Sequence, residues 1–493
     1  MAATITSVAS CTLSSSTAPP RVVMIGSPGA GHLIPVAELA RRLATDHGFA
    51  VTIVTTTGLS DPATDAAVLS TLPPSVATAS LPGAALANIP PDIGFGGTIF
   101  EFVRRSLPHL RSLLAGGGGD PAAALVCDFF GTSALPLAAE LGVPGYVFLP
   151  TSFAMVSIMR RLAALHADAA PGEYRDLPDS LPFPGGPSLL LRHEDMPDGF
   201  RDWNDPNYAY VVEEARRYAR ADGFLVNSFE EMERAMAESF RHDAEDGAFP
   251  PVFPVGPFVR SSSDENSAEE CLEWLNRQPA RSVVYVSFGT GGALSVAQTA
   301  ELAAGLEASG HRFLWVVRMP SQDGNAFAFG TVRGEDDDPL AWLPDGFLER
   351  TRGRGLAVAA WAPQVRVLNH PATAAFVSHC GWNSTLESVS ASVPIVAWPL
   401  YAEQRMNAVT LAEVAGVALR PRDDGGFVTR EEVAAVVREI MEGEKGSTVR
   451  GRARELQEAA SRAWSPQGAS RRALGEVAAK WKAAPVNDNG EGA

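Results

Sequence analysis

The sequence predicts an α/β protein of two domains with similar plans, and three observations carry that prediction. A unit of buried strand, Gly-rich loop and amphipathic helix opens at residues 22–43 and recurs at 283–306. Short apolar strands alternate with helical patterns throughout, which is the mark of parallel sheets covered by helices. Between the two units lies a Pro-rich stretch, Pro250 to Pro257, followed by the polar run Ser261 to Asn266, and this sets the domain boundary. The resulting division is a disordered leader over 1–20, a first domain over 21–250, a linker over 251–266, a second domain over 267–463, a final helix over 464–484 and a disordered tail over 485–493.

Val22 to Ile25 is an apolar run that ends at Gly26-Ser27-Pro28-Gly29-Ala30-Gly31, after which Leu33, Val36, Ala37, Ala40 and Leu43 fall at helical spacing. Val51 to Thr57 reads as a β-branched strand, and Ala123 to Cys127 and Gly145 to Leu149 as short buried ones. Ser267-Ala268-Glu269-Glu270 has capping-box spacing and predicts a helix ending near Arg277. The plan then repeats with strand Val283 to Ser287, loop Phe288 to Gly292, a helix carrying Val296, Ala300, Ala303 and Leu306 on one face, and strand Phe313 to Val317. Residues 319–344 read as a long exposed loop, and its run Glu335 to Asp338 as solvated acid, because four adjacent side chains cannot converge on one ion. Strands near Leu356 to Ala360, Ala375 to Ser378 and Ile395 to Ala397 follow, then a helix capped by Thr429-Arg430-Glu431-Glu432 and a last amphipathic helix from Trp464 to Trp481.

Composition narrows the function. The 493 residues carry 40 Lys and Arg against 57 Asp and Glu, a net charge of −17 that excludes a nucleic-acid partner, whose phosphates need a basic surface. The richest apolar run, Ala122 to Pro150, is broken by Asp128, Pro136, Glu140 and Pro144, so no membrane span is expected. Cys11, Cys127, Cys271 and Cys380 lie far apart, which fits neither a disulfide framework nor a zinc site and points to a reducing, cytoplasmic setting.

The first Gly-rich loop invites a dinucleotide reading, but Ile34 stands where the fingerprint needs a small residue, and the second strand ends in Thr55-Thr56-Thr57 rather than in a ribose-binding acid. What the loop offers instead is His32, at the start of a helix and outside the carboxyl end of a strand. Asp128 follows another strand at the same rim. A carboxylate on one imidazole nitrogen fixes the tautomer and stabilises the imidazolium, so His32 and Asp128 read as a base and its orienter. The chain has no GxSxG elbow, and neighbouring His379 and Cys380 point to opposite faces if they continue a strand, so a hydrolase nucleophile is not indicated.

Trp361 to Gln404 reads WAPQVRVLNHPATAAFVSHCGWNSTLESVSASVPIVAWPLYAEQ, 44 residues that closely resemble the signature box of plant secondary-product glycosyltransferases using UDP-sugar donors. The opening Pro28-Gly29-Ala30-Gly31-His32-Leu33-Ile34-Pro35, the Val286-Ser287-Phe288-Gly289 loop and Asn227-Ser228-Phe229 extend the likeness. Within that family the sequence is most similar to the hydroquinone and monolignol glucosyltransferase group, through segments such as Glu173 to Leu177 and Ser287 to Gly292.

The resemblance implies a GT-B fold, two facing Rossmann-like domains with the acceptor bound by the first, the donor by the second, and the last helix crossing back to the first. It implies that His379, Asn383 and Ser384 contact the phosphates, Trp361 stacks on uracil, Ala362 and Gln364 hold the base, Glu387 accepts from the ribose hydroxyls, and Ser287 belongs to the donor site. Trp382, Glu403 and Gln404 match the sugar-reading positions, and Gln404 closing the box points to UDP-glucose. The helix N-terminus after His379 and neutral donors, rather than a basic patch, would hold the diphosphate. No metal is expected, and a monomer is the family-level expectation. The expected reaction is inverting transfer of glucose to a small phenol, with a flavonoid as the alternative acceptor. A nicotinamide oxidoreductase and a non-catalytic UDP-sugar binder remain the rival classes.

Overall fold

In the computed structural model the described residues are 18–483, apart from 57, 60–61, 117–120, 171, 183–189, 261–268, 323–325 and 327–337. The leader, the tail, the Ser267 capping box and most of the acidic run lie outside them.

Fifteen named strands occur among the described residues: β1 (Arg21–Ile25), β2 (Ala50–Thr56), β3 (Val76–Leu81), β4 (Ala124–Cys127), β5 (Gly145–Leu149), β6 (Ser180–Pro182), β7 (Leu190–Arg192), β8 (Gly223–Val226), β9 (Val252–Pro254), β10 (Val283–Ser287), β11 (Arg312–Val317), β12 (Gly355–Ala359), β13 (Thr373–Ser378), β14 (Ile395–Ala397) and β15 (Ala418–Leu419). Seven form a parallel sheet in the order β3-β2-β1-β4-β5-β8-β9, and six form a second in the order β12-β11-β10-β13-β14-β15. β6 and β7 make a separate antiparallel hairpin.

Burial on both faces explains why these strands are continuous apolar runs. In the first sheet Val23, Ile25, Leu125 and Cys127 face one core, while Val22, Met24, Ala124 and Val126 face the other. The second sheet repeats the alternation, with Val284, Val286 and Val377 on one side and Val283, Tyr285 and Phe376 on the other. A further cluster joins Phe229 and Met232 to Trp382, Leu386 and Leu411, so apolar packing runs from the first half of the chain into the second.

Both sheets reverse their direction of growth beside a central strand. β1 lies between β2 and β4, and β10 between β11 and β13. The connecting helices leave toward opposite faces at such a switch point, which opens a crevice at the strands' carboxyl ends where α/β proteins bind ligands. β1 feeds the helix Ala30–Thr45 that carries His32, and β13 feeds the helix Trp382–Ser390 that carries Asn383, Ser384 and Glu387.

Several elements differ from expectation. The last helix begins at Ala469, not Trp464. Trp464 closes the preceding helix Glu444–Ala463, and the chain turns through Ser465-Pro466-Gln467-Gly468. Gly468 is required there, because a Cβ would lie 2.1 Å from the Ala463 carbonyl. β9 falls within the stretch read as linker, yet it pairs with β8 as the sheet's edge, the position where proline is tolerated.

The final helix packs on the first sheet, where Trp481 meets Phe49 edge-on at 6.0 Å and Tyr146 at 5.1 Å. Trp481 is 2% exposed. Replacing Trp481 with Ala is expected to cost about 3–5 kcal/mol, read as a lowered urea midpoint.

Candidate active site

At the first switch point β1 runs into Ser27, and Gly29 adopts φ 98 at the start of the helix, a backbone conformation that suits glycine. His32 stands in that helix's first turn, and Asp128 follows β4, which is in register with β1 through Ile25 and Cys127. The Asp128 carboxylate is completely buried and has four donors: Ser27 N–H at 2.8 Å, Ser27 Oγ at 2.6 Å, His32 Nδ1 at 3.0 Å and Phe130 N–H at 3.2 Å. The His32 side chain keeps 29% exposure. Burial disfavours its imidazolium, but the hydrogen bond and charge of Asp128, with the charge of Glu403 from the other half, raise the pKa above the ordinary histidine value.

Sequence reasoning placed His32 and Asp128 together and missed Ser27. The signal available was positional, since Ser27 follows β1 by two residues just as Asp128 follows β4 by one.

Aromatic side chains gather beside the pair. Phe130 lies 5.5 Å from the His32 ring and 4.7 Å from Phe100, Phe129 packs on both phenylalanines, and Tyr210 stacks on Phe100 at 5.6 Å. Of the aromatics near Asp128 in sequence, Tyr146, Phe148 and Phe153 instead fill core, against Trp481, Phe258 and Phe240. Phe95 is 40% exposed.

The second switch point assembles most of the predicted donor residues. His379, one residue past β13, is 7% exposed, and its Nδ1 is buried with no hydrogen-bond partner. Burial, reinforced by the charge of Arg318, lowers its pKa to about 4, so the ring is neutral at pH 7. Ser287 ends β10, and its Oγ accepts from Gly289 N–H at 3.4 Å. Gln364 donates through Nε2 to Ser384 Oγ at 2.9 Å and to Glu387 Oε2 at 2.7 Å, and its Oε1 accepts from Tyr285 at 3.4 Å. Glu387 also stands 3.6 Å from Arg260. Trp361 follows β12 with 45% of its surface open, while the adjacent Ala362 is 5% exposed.

Three of the predicted donor residues make hydrogen bonds within the protein. The Trp382 indole is 3% exposed and donates to the Asn227 carbonyl at 2.7 Å, so its ring belongs to the apolar packing shared by the two halves of the chain. Asn383 donates through its amide nitrogen to the Gly31 carbonyl across the cleft at 3.1 Å. Gln404 turns its Oε1 inward, accepting from Leu400 N–H at 2.9 Å and Tyr401 N–H at 3.1 Å. Arg318, just past β11, is the cation whose charge adds to burial in lowering the His379 pKa. Among the described residues no three or more His, Cys, Asp or Glu side chains converge as a metal site, and no helix is long and apolar enough to cross a membrane.

His379 is wedged between two glycines. A Cβ on Gly381 would come within 2.4 Å of its Nε2, and one on Gly289, at φ +73, within 2.6 Å. Gly381→Ala therefore displaces the ring, and UDP affinity measured by calorimetry is expected to fall by roughly tenfold or more, about 1.4 kcal/mol.

Comparison with known proteins agrees with this geometry. The family model described as UDP-glucoronosyl and UDP-glucosyl transferase matches residues 211–449. The chain is 44% identical to UDP-glycosyltransferase 72B1 of Arabidopsis thaliana, over 94% of this chain and 96% of that protein. It is 42% identical to hydroquinone glucosyltransferase of Rauvolfia serpentina, over 94% and 98%. The structure of Phytolacca americana UGT2 complexed with UDP-2fluoro-glucose and pterostilbene superposes with TM-score 0.82 at 40% identity, covering 94% of this chain and all of that one. With its two parallel sheets in the GT-B arrangement, the chain belongs to the UDP-glucuronosyl and UDP-glucosyl transferase family and is a UDP-glucose-dependent glycosyltransferase.

Proposed function

We propose that the protein transfers glucose from UDP-glucose to a hydroxyl of a small phenol of the hydroquinone, monolignol or phenylpropanoid type, with inversion to the β-glucoside. The observation that carries this reading is the His32–Asp128 pair, buried on one side and walled by Phe130, Phe100 and Tyr210 on the other. The names of the hydroquinone glucosyltransferase relative and of the pterostilbene complex support the acceptor class.

In this reading Asp128 holds the His32 Nδ1 proton, which leaves Nε2 to accept the phenol's proton as the oxygen attacks the anomeric carbon from the face opposite UDP. A phenol near pKa 10 and an ordinary histidine near 6.5 differ by roughly 5 kcal/mol in proton affinity, which favours proton transfer concerted with bond formation. A positioned base contributes about 10²–10⁴ in rate in that regime. The neutral His379, the first turn of helix Trp382–Ser390 and the Ser287 and Ser384 hydroxyls receive the leaving diphosphate, with Arg318 adding charge nearby. Gln364, Glu387 and Trp361 hold the nucleoside, and Glu403 and the Ala402–Gln404 turn meet the sugar. The protein works as a monomer in the cytoplasm; three described cysteines, buried and unpaired, support a reducing setting.

His32→Ala is expected to lower kcat with a phenol by about 10²–10⁴ while UDP-glucose binding persists, and near-normal turnover would remove His32 as the base. Protonated His32 cannot accept a proton, and its pKa is raised. The kcat/KM profile should therefore climb with pH through an inflection above the ordinary histidine value, and Asp128→Asn should move that inflection down. A screen of hydroquinone, monolignols and flavonoids with product identification tests the acceptor class, and a clear preference for flavonoids would overturn it.

A further inference from the structure

Between the hairpin β6–β7 and the helix Pro206–Arg217, the chain leaves the first half and lies along the second. Two carboxylates fasten this strap. Asp195 accepts from Arg420 Nη2, just past β15, at 2.9 Å, and from Arg192 Nε at 3.0 Å. Asp198 makes a reciprocal pair with Ala402, its N–H donating to the Ala402 carbonyl at 3.1 Å and its Oδ2 accepting from the Ala402 N–H at 2.7 Å. Asp198 Oδ1 also accepts from Arg405 at 3.2 Å, and Arg201 pairs with the same carboxylate. Met196, between the two acids, is fully buried.

The clamped turn is one that its own residues do not favour. Ala402 has φ 54, a left-handed conformation that side-chain-bearing residues adopt reluctantly. From inside, Gln404 Oε1 ties Leu400 and Tyr401; from outside, Asp198 holds Ala402 by both backbone polar groups. Glu403 and Gln404 are the next two residues, so their placement follows from this turn.

We infer that Asp198 is a positioning residue for donor-sugar recognition: a residue of the strap that fixes the Ala402–Gln404 turn against the sugar from outside the donor domain. The inference rests on the proposed reading that Glu403 and Gln404 meet the sugar. It separates sugar from nucleotide, because Asp198 contacts neither His379 nor Gln364 and Glu387, the residues proposed to hold UDP.

The test compares Asp198→Ala, Asp198→Asn and Arg405→Ala for KM of UDP-glucose, competitive Ki of UDP, and the ratio of kcat/KM for UDP-glucose over UDP-galactose. Asp198→Ala should raise the UDP-glucose KM and erode the sugar ratio, each by roughly tenfold, with the UDP Ki within about twofold. Asp198→Asn keeps an acceptor for the Ala402 N–H and loses the ion pairs, so it should fall between wild type and Asp198→Ala, as should Arg405→Ala. An equal rise in UDP Ki would reduce the strap to inter-domain glue and overturn the inference, as would an unchanged KM. Glu403→Ala run in parallel separates the two levels. If Glu403→Ala shifts the sugar ratio and the Asp198 variants do not, only the role of Asp198 falls; if Glu403→Ala leaves the ratio unchanged, the sugar-site reading falls and the inference with it.

Discussion

The first switch point depends on one buried carboxylate. Taking Asp128 out of water costs several kcal/mol unless donors replace the hydration shell. Ser27 N–H, Ser27 Oγ, Phe130 N–H and His32 Nδ1 supply them. Each donor fixes something else. The two Ser27 bonds pin the loop after β1 to the end of β4, the Phe130 bond caps the short helix Phe129–Ala134 that presents the aromatic wall, and the His32 bond selects the tautomer. The orientation of His32 and the placement of the Phe129–Phe130 aromatics thus share one anchor.

A second constraint carries that alignment across the cleft, and a proline creates it. Pro35 lies inside helix Ala30–Thr45 and has no N–H, so the Gly31 carbonyl four residues earlier lacks its intrahelical donor. Asn383, in the first turn of the opposing helix Trp382–Ser390, donates to that carbonyl. Beside it the Trp382 indole bonds to Asn227, and Arg452 Nη2 reaches the Glu231 carbonyl at 3.3 Å. The helix that carries His32 and the helix Trp382–Ser390 are therefore tied through their first turns, where the proposed reaction needs its groups placed within fractions of an ångström.

What was legible in the sequence followed from periodicity and from strand ends. Strands buried on both faces, such as β5, β10 and β14, were read to the residue because continuous apolar runs with turn signals have few alternative interpretations. β8 and β9 were missed, one as four residues between helices and the other as a Pro-rich edge strand, since pairing partners rather than local pattern make them strands. At the site, His32 with Asp128 was legible because both follow strands at one rim. The Asn383, Trp382 and Gln404 contacts were not, because residue type announces a polar group while only tertiary packing decides which partner takes it. Asp198 was illegible for the same reason, an aspartate in a loop having solvent as its default partner, whereas Ser27 had only its position after β1 to mark it.

Two histidines at the switch points sit in opposite environments. Both stand at switch points, one past β1 and the other past β13, and an ordinary imidazole at either would be partly protonated near neutrality. His32 faces Asp128 and feels Glu403, and its pKa goes up; His379 is buried beside Arg318, and its pKa falls to about 4. In the proposed mechanism the first is thereby suited to gain a proton, and the second to stay a neutral donor whatever the first does. Environments that drive paired titratable groups apart are how one cleft assigns distinct acid–base roles. Under the proposed function, these environments also bear on how a chain of net charge −17 receives a diphosphate. On that reading the donor side combines a neutral imidazole, a helix N-terminus and one nearby guanidinium, while Asp128 and Glu403 raise the basicity of His32.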